Sequence, residues 1–246
     1  VGYAAPQTVN GQPREALPFG LFSSFTFRAS PDEHWSNGVV WEALSCDPAQ
    51  VLEPDCDTPP TNAYVSGALG DAPGITVSGS YKCGTPGGRA DVQAVEKATA
   101  HLLTQEEAAV EGHVWERLHA EAQALTPAPK TALEAVAMLE DYIGVTFGVR
   151  SLIHASRGVV TLLGDTLHRN GLRLYTPLET QIVAGAGYSA SHPNTLYATP
   201  ALFGYRSAVY TTTLIDPHTN DAYATAQRQY VVAWDPCPVA SVTITP

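Results

Sequence analysis

The sequence predicts an α+β fold organised around one very long helix. Three observations carry that prediction. From Ala90 to Leu125 there is no proline and one glycine, Gly112, and apolar residues return mostly at three- and four-residue steps. Before that stretch, strand-like runs alternate with Pro/Asp/Gly-rich segments. After it, helical and strand patterns alternate to about residue 190, and only strand patterns follow.

In chain order, residues 1–20 carry Pro and Gly at short intervals without periodicity and read as an extended arm. Residues 21–29, LFSSFTFRA, place Phe22, Phe25 and Phe27 on a short strand or a docking arm. Asn37-Gly38 lies between Trp35 and Val39-Val40-Trp41, a hairpin signal. Trp35 and Trp41 read as packed residues of a β arm, with exposed binding aromatics as the alternative. Residues 47–74 are irregular, and ITVSGSYKC (75–83) resumes as a strand with Ile75, Val77 and Tyr81 at even spacing. Residues 30–83 are thus expected to form a long two-armed β excursion with an irregular tip.

The helix expected over 90–125 spans up to 36 residues, about 54 Å at ~1.5 Å per residue. Its apolar stripe reads as Val92, Val95, Thr99, Leu102, Leu103, Ala109, Val110, Val114, Leu118 and Leu125. Pro127 and Pro129 stop it. Thr131-x-x-Glu134 is a capping box before LEAVAMLEDYIG. RSLIHA (150–155) reads as a short buried strand. Ser156 caps a third helix, RGVVTLLGDTLHRN, expected to end at Asn170-Gly171. LRLYTP, TQIVAGAGY and everything from residue 195 read as strands.

The chain has 246 residues, 13 Lys+Arg against 24 Asp+Glu, a formal charge of -11 and 44% hydrophobic residues. These values exclude wholesale disorder. No run approaches the ~18–20 apolar residues of a membrane span, so none is expected. The acidic balance argues against sequence-specific duplex DNA binding, which uses a basic stripe.

Candidate chemistry is sparse. Glu116-x-x-His119 has the spacing of carboxylate-bridged metal sites, which need a second copy; the nearest is Asp165-x-x-His168 on another helix. Gly185-Ala186-Gly187-Tyr188-Ser189-Ala190 matches G-x-G-x-x-A, but no helix pattern follows it, so it reads as a turn between strands. Glu106-Glu107 point about 100° apart and read as a solvated helix face. Neither a catalytic residue, a cofactor nor a metal is expected. The four cysteines are Cys46, Cys56, Cys83 and Cys237. Two readings stand: four thiols, or a Cys46–Cys56 disulfide closing a surface loop.

The order of elements resembles the Hong Kong 97-like major capsid proteins of tailed phages, and the related encapsulin shell proteins. The resemblance rests on GGRADVQAVEKATAHLLTQEEAAVEGHVWE as a spine helix, SLIHASRGVVTLL and GLRLYTPLETQIVAGAGY as an A-domain core, and YATAQRQYVVAWDPCPVASVTIT as closing strands. It implies an N-arm over 1–29, an E-loop over 30–83, a P-domain spine over 84–126, an A-domain over 127–194, and strands returning to the P-domain over 195–246. Arg- and Ala-rich text suggests an actinobacterial phage.

The function the resemblance implies is a structural shell subunit. It would form pentamers and hexamers of an icosahedral phage head in the host bacterial cytoplasm, around double-stranded DNA contacted non-specifically. Portal, minor capsid and decoration proteins are the further partners implied. The alternatives are an encapsulin-like nanocompartment shell and an accessory virion protein of the decoration or tail type. A Cys46–Cys56 clamp would then stiffen the E-loop tip. Some relatives cross-link through an E-loop lysine. Here the lysines are Lys82, Lys97 and Lys130, none in the middle of that segment, so that chemistry is not expected. The chain begins at Val1, its only methionine being Met138. That start fits maturation proteolysis and an N-terminus lying upstream equally.

Overall fold

The structure, a computed structural model, describes residues 17–29, 33–47, 49, 66–83, 90–219 and 221–245. Strands β1 (Val39–Ala43) and β2 (Ala68–Ala72) pair antiparallel as a two-stranded ribbon. Strand β3 (Ile75–Cys83) leads to helix α1 (Ala90–Glu121), and β4 (Gln123–Ala124) follows it. Then come α2 (Ala132–Tyr142), β5 (Ser151–Ser156), α3 (Arg157–Leu163), β6 (His168–Asn170), β7 (Arg173–Tyr175) and β8 (Gln181–Gly185). The chain closes with β9 (Thr195–Pro200), β10 (Leu202–Arg206), β11 (Tyr210–Asp216), β12 (Asp221–Trp234) and β13 (Ala240–Thr243).

Two larger sheets organise these elements. One has seven strands in the order β4-β13-β9-β5-β8-β7-β6. The other is built on β12, which pairs antiparallel with β3 over residues 222–230, with β11 over 221–227 and with β10 over 230–234. The only parallel strand pairs among the described residues are β5 with β8 and β13 with β4.

Helix α1 has 32 residues, about 48 Å at ~1.5 Å per residue. It lies across β3 and β12. One buried row is Ala94, Ala98, Leu102, Glu106, Val110, Val114 and Leu118, a four-residue step, with Glu111 and Trp115 buried beside it. This corrects the expected stripe: Val92 and Leu103 face outward, and two carboxylates, Glu106 and Glu111, are buried. Alanines in the first half face Ala222, Ala224 and Ala226 of β12. Small residues there let helix and sheet approach closely. A Cβ at Gly79 of β3 would stand 2.6 Å from the Leu102 backbone nitrogen.

The α2 capping box is present as expected. Glu134 N–H donates to Thr131 Oγ1 at 3.3 Å and Thr131 N–H donates to Glu134 Oε2 at 2.9 Å. Helices α2 and α3 cover the seven-stranded sheet, with Leu139, Val159 and Leu163 packed on Ile153, Ile182, Leu196 and Val242. Strand β5, expected as a buried strand, is buried throughout.

Two further expectations are corrected. The third helix does not run to Asn170: it ends at Leu163, and residues 168–175 form the β6–β7 hairpin around Gly171 at φ 60°. The helical apolar spacing of Leu163 and Leu167 could not reveal that the next three residues pair across a turn. The strand over 75–83 is not an arm of the β excursion. It pairs with β12 from Tyr230 to Ala222, and the ribbon consists of β1 and β2, with Ala43 opposite Ala68. Asn37-Gly38 is therefore the entry to the ribbon from a short 3-10 turn, Glu33–Asn37, and not a hairpin tip.

Candidate functional site: the arm junction, the ribbon anchor and the outward faces

Residues 17–28 run across the body as an arm, and side chains of the body satisfy its backbone. Glu111 Oε1 accepts the N–H of Leu21 at 2.8 Å, and Glu107 Oε1 accepts that of Phe22 at 2.7 Å. Arg157 donates to the carbonyls of Pro18 at 2.9 Å and Ala184 at 3.3 Å. Arg173 donates to the Ser23 carbonyl at 2.8 Å. Phe22 and Phe27 then pack on the buried Tyr230. Beside the junction lies a cavity of about 400 Å³ lined by Leu17, Gly20, Glu107, Glu111 and Arg157.

The Gly185–Ala190 turn meets the same carboxylate. Gly187 N–H donates to Glu111 Oε2 at 2.9 Å, so the amide that a phosphate would use in a dinucleotide site is taken by an internal acid. A Cβ at Gly187 would fall 2.2 Å from the Ala108 carbonyl, which explains the glycine by packing. Burial pushes the Glu111 carboxyl up to about 7, against the pull of the Gly187 and Leu21 amides. Burial also raises Glu107, opposed by the Phe22 amide.

Glu106 faces the other way. Both its oxygens lie within reach of Arg228 Nη1, at 2.9 and 3.1 Å. The expectation of a solvated Glu106-Glu107 face is corrected: the two point apart as expected, but into β12 and the arm. The sequence carried one usable signal. Like charges at Glu107 and Glu111, four residues apart, are unfavourable on an isolated helix and call for donors from elsewhere.

The ribbon is anchored at several places. Trp35 stacks on Tyr205 and Trp41 meets Phe203 edge-on, with ring centroids 5.6 and 4.9 Å apart. Trp41 Nε1 donates to Asp235 Oδ1 at 3.1 Å. Both tryptophans are packed, as expected. Arg117 lies over Trp234, 4.1 Å from the ring centroid, and donates to the Val232 carbonyl at 3.1 Å. Cys46, just beyond β1, forms a disulfide with Cys237, Cα–Cα 5.7 Å. Both readings of the cysteines, four thiols and a Cys46–Cys56 disulfide, are corrected in that Cys46 has Cys237 as its partner, while Cys56 lies outside the described residues. The 191-residue separation of Cys46 and Cys237 gave no local pattern to read.

The two E/D-x-x-H pairs have separate partners. Glu116 accepts from the Ser191 hydroxyl, and His119 Nδ1 is hydrogen-bonded to Tyr197 Oη at 2.8 Å and stacked on His192. Asp165 sits in a 3-10 turn, and His168 on β6 lies 3.2 Å from Glu179. Among the described residues no group of three His, Cys, Asp or Glu is placed to hold a metal. Among the described residues no helix is long and apolar enough to cross a membrane.

Several large apolar side chains face outward. On the ribbon these are Val40, Leu44 and Leu69, at 73%, 87% and 76% exposure. On β11 they are Leu214 and Ile215. On the ribbon the inward neighbours Trp41, Gly70 and Ala72 account for the alternation, so Val40 and Leu69 lie on a face with no partner in the single chain, whereas Leu214 and Ile215, adjacent on β11, point to opposite faces.

No family model and no curated protein matches the sequence. Solved structures do. A chain from Mycobacterium phage Che8 superposes with TM-score 0.57 at 12% identity, covering 98% of this chain and 97% of its own. The asymmetric unit of the bacteriophage PhiM1 mature capsid gives 0.54 at 12%, covering 100% and 92%. A virus-like particle from Pyrococcus furiosus gives 0.51 at 10%, covering 84% and 86%. The first two likenesses extend over nearly the whole of both chains, and the chain has the Hong Kong 97-like capsid fold.

Proposed function

We propose that this chain is a major capsid protein, a structural shell subunit whose copies form pentamers and hexamers of an icosahedral phage head around double-stranded DNA. The observation that carries the reading is the combination of that fold with apolar residues left on outward faces of the ribbon and β11. Isolated exposed apolar residues are common, but a ribbon face carrying Val40, Leu44 and Leu69 together marks an interface. Closed symmetry would then bury the same patches on every copy. The role is structural, and no catalytic step is assigned to it. Assembly in the host cytoplasm and residence in the virion follow from the same reading.

In this reading residues 17–28 belong to the N-arm, the β1–β2 ribbon is the base of the E-loop, and α1 is the spine. The acidic charge of -11 suits a container that does not adsorb its own nucleic acid tightly. A nanocompartment shell is the second reading, favoured by the likeness to the Pyrococcus furiosus particle.

Negative-stain microscopy of the purified chain tests the proposal. Rings or closed particles are the expected result, and a chain that stays monomeric at high concentration overturns it. Nuclease-protected double-stranded DNA inside particles supports the phage head; a packed protein cargo supports the nanocompartment.

A further inference from the structure

The ribbon enters and leaves the body through a narrow base. Gly74 lies so close to the Ser36 carbonyl that a Cβ there would fall 1.9 Å from its oxygen, and Gly38 beside it adopts φ 114°. Cys46 lies seven residues beyond Val39, at most about 23 Å along the chain at ~3.3 Å per residue. Its partner Cys237 sits in the short turn between β12 and β13, where one large sheet gives way to the other. The disulfide thus holds the ribbon at a second point, well away from its base. A strip fixed at one end can swing; a strip fixed at both ends cannot.

The remaining ties between are weaker. They are the single Trp41–Asp235 hydrogen bond, a long 3.4 Å contact from Arg117 Nη2 to the Asp71 carbonyl, the edge-on contact of Trp41 with Phe203, and the packing of Val39, Trp41 and Ala72 on Val231 and Ala233. These contacts bring the two thiols together without the covalent bond. Both cysteines are partly exposed, within reach of small solutes.

We propose that Cys46 and Cys237 form a reversible redox clamp: open as a dithiol it leaves the β1–β2 ribbon free to swing on its base, and closed as a disulfide it fixes the ribbon to the turn joining the two sheets. Closure needs a small-molecule disulfide such as oxidised glutathione. One cysteine thiolate attacks a sulfur of that disulfide, and one small thiolate leaves. The second cysteine thiolate then attacks the mixed disulfide, forming the Cys46–Cys237 bond and releasing the other small thiolate. Two protein thiols are oxidised, one small disulfide is reduced to two thiols, and the two protons pass to the leaving thiolates. The clamp acts within one chain and does not depend on shell formation. Its use, an open ribbon during assembly in a reducing compartment and a locked one afterwards, rests on the shell reading.

The test uses the full chain, equilibrated with oxidised glutathione or with dithiothreitol, followed by peptide mapping without reduction and hydroxyl-radical footprinting of Trp41. Oxidation is expected to give a Cys46–Cys237-linked peptide, and reduction to raise Trp41 labelling severalfold. Cys46→Ser should label at the higher level in both conditions. A Cys46–Cys56 link, Cys46 and Cys237 both still open to alkylation after oxidation, or Trp41 labelling that ignores the redox state would each overturn the clamp. Because the wild-type chain is compared with itself, a poorly folding variant does not remove the test. Microscopy reads the shell proposal separately.

Discussion

The Glu111 carboxylate accepts the backbone N–H of Leu21 at 2.8 Å across 90 residues of sequence, fastening the arm to the middle of the long helix. Its other oxygen takes the Gly187 N–H, so one buried acid joins the arm, the helix and the turn after β8.

That acid makes stability pH-dependent in a defined direction. Its folded-state value of about 7 lies above the ordinary 4.5, so the native chain holds this proton more tightly than the unfolded one. The contribution is fully present below about pH 4.5 and is lost as pH rises through 7, roughly 3 kcal/mol in all at ~1.4 kcal/mol per unit. His154, fully buried between Tyr188 and Thr199 and pushed down to about 3, acts with the opposite sign. Its stabilisation is lost as pH falls below its ordinary 6.5. The difference in unfolding free energy between wild type and Glu111→Gln therefore isolates the acid. That difference should shrink as pH climbs from 4.5 to 7. A flat or rising difference would show that Glu111 is not held neutral.

The Glu106–Arg228 pair, with side chains 7% and 14% exposed, should behave as a buried ion pair. Glu106→Ala leaves Arg228 without its carboxylate and should cost about 3–5 kcal/mol in denaturant unfolding. The double change Glu106→Leu with Arg228→Met should recover most of that loss. Equal losses for single and double variants would contradict the pairing.

Gly79→Ala places a methyl against the backbone of Leu102 and Ala98, where no flexible side-chain end can yield. The helix must move off β3, at a cost of about 1–3 kcal/mol. The matching change at Gly144, where nothing lies within 4 Å of the added carbon, serves as the control. A thermal melt should lower the midpoint for the first and leave the second near wild type.

Val40→Asp and Leu69→Asp alter outward positions only, so subunit stability should shift by no more than about 0.5 kcal/mol. Particle yield by sedimentation should nevertheless fall steeply if the ribbon face is covered by a neighbouring copy. Unchanged yield would move the interface elsewhere, β11 with Leu214 and Ile215 being next to test.

What could be read in advance was local. The α1 periodicity, the Thr131–Glu134 box, the Ser156 cap and the buried β5 each depend on residues a few positions apart, and each appears in the structure. The misreadings share one cause. Val92 and Leu103 are apolar, yet the helix turns Glu106 and Glu111 inward because Arg228 and the arm amides lie there. Residues 168–170 carry a helix-like run that ends as a strand because Arg173–Tyr175 is available to pair.

The sequence alone determined the element types, the one long helix and the α+β class, since these follow from periodicity, caps and turn residues. Tertiary structure decided which strand β3 joins, which cysteine meets Cys46, and where the helix acids point. Those choices depend on partners 76 to 191 residues away, and the energy of such a contact exists only once both sides have been brought together.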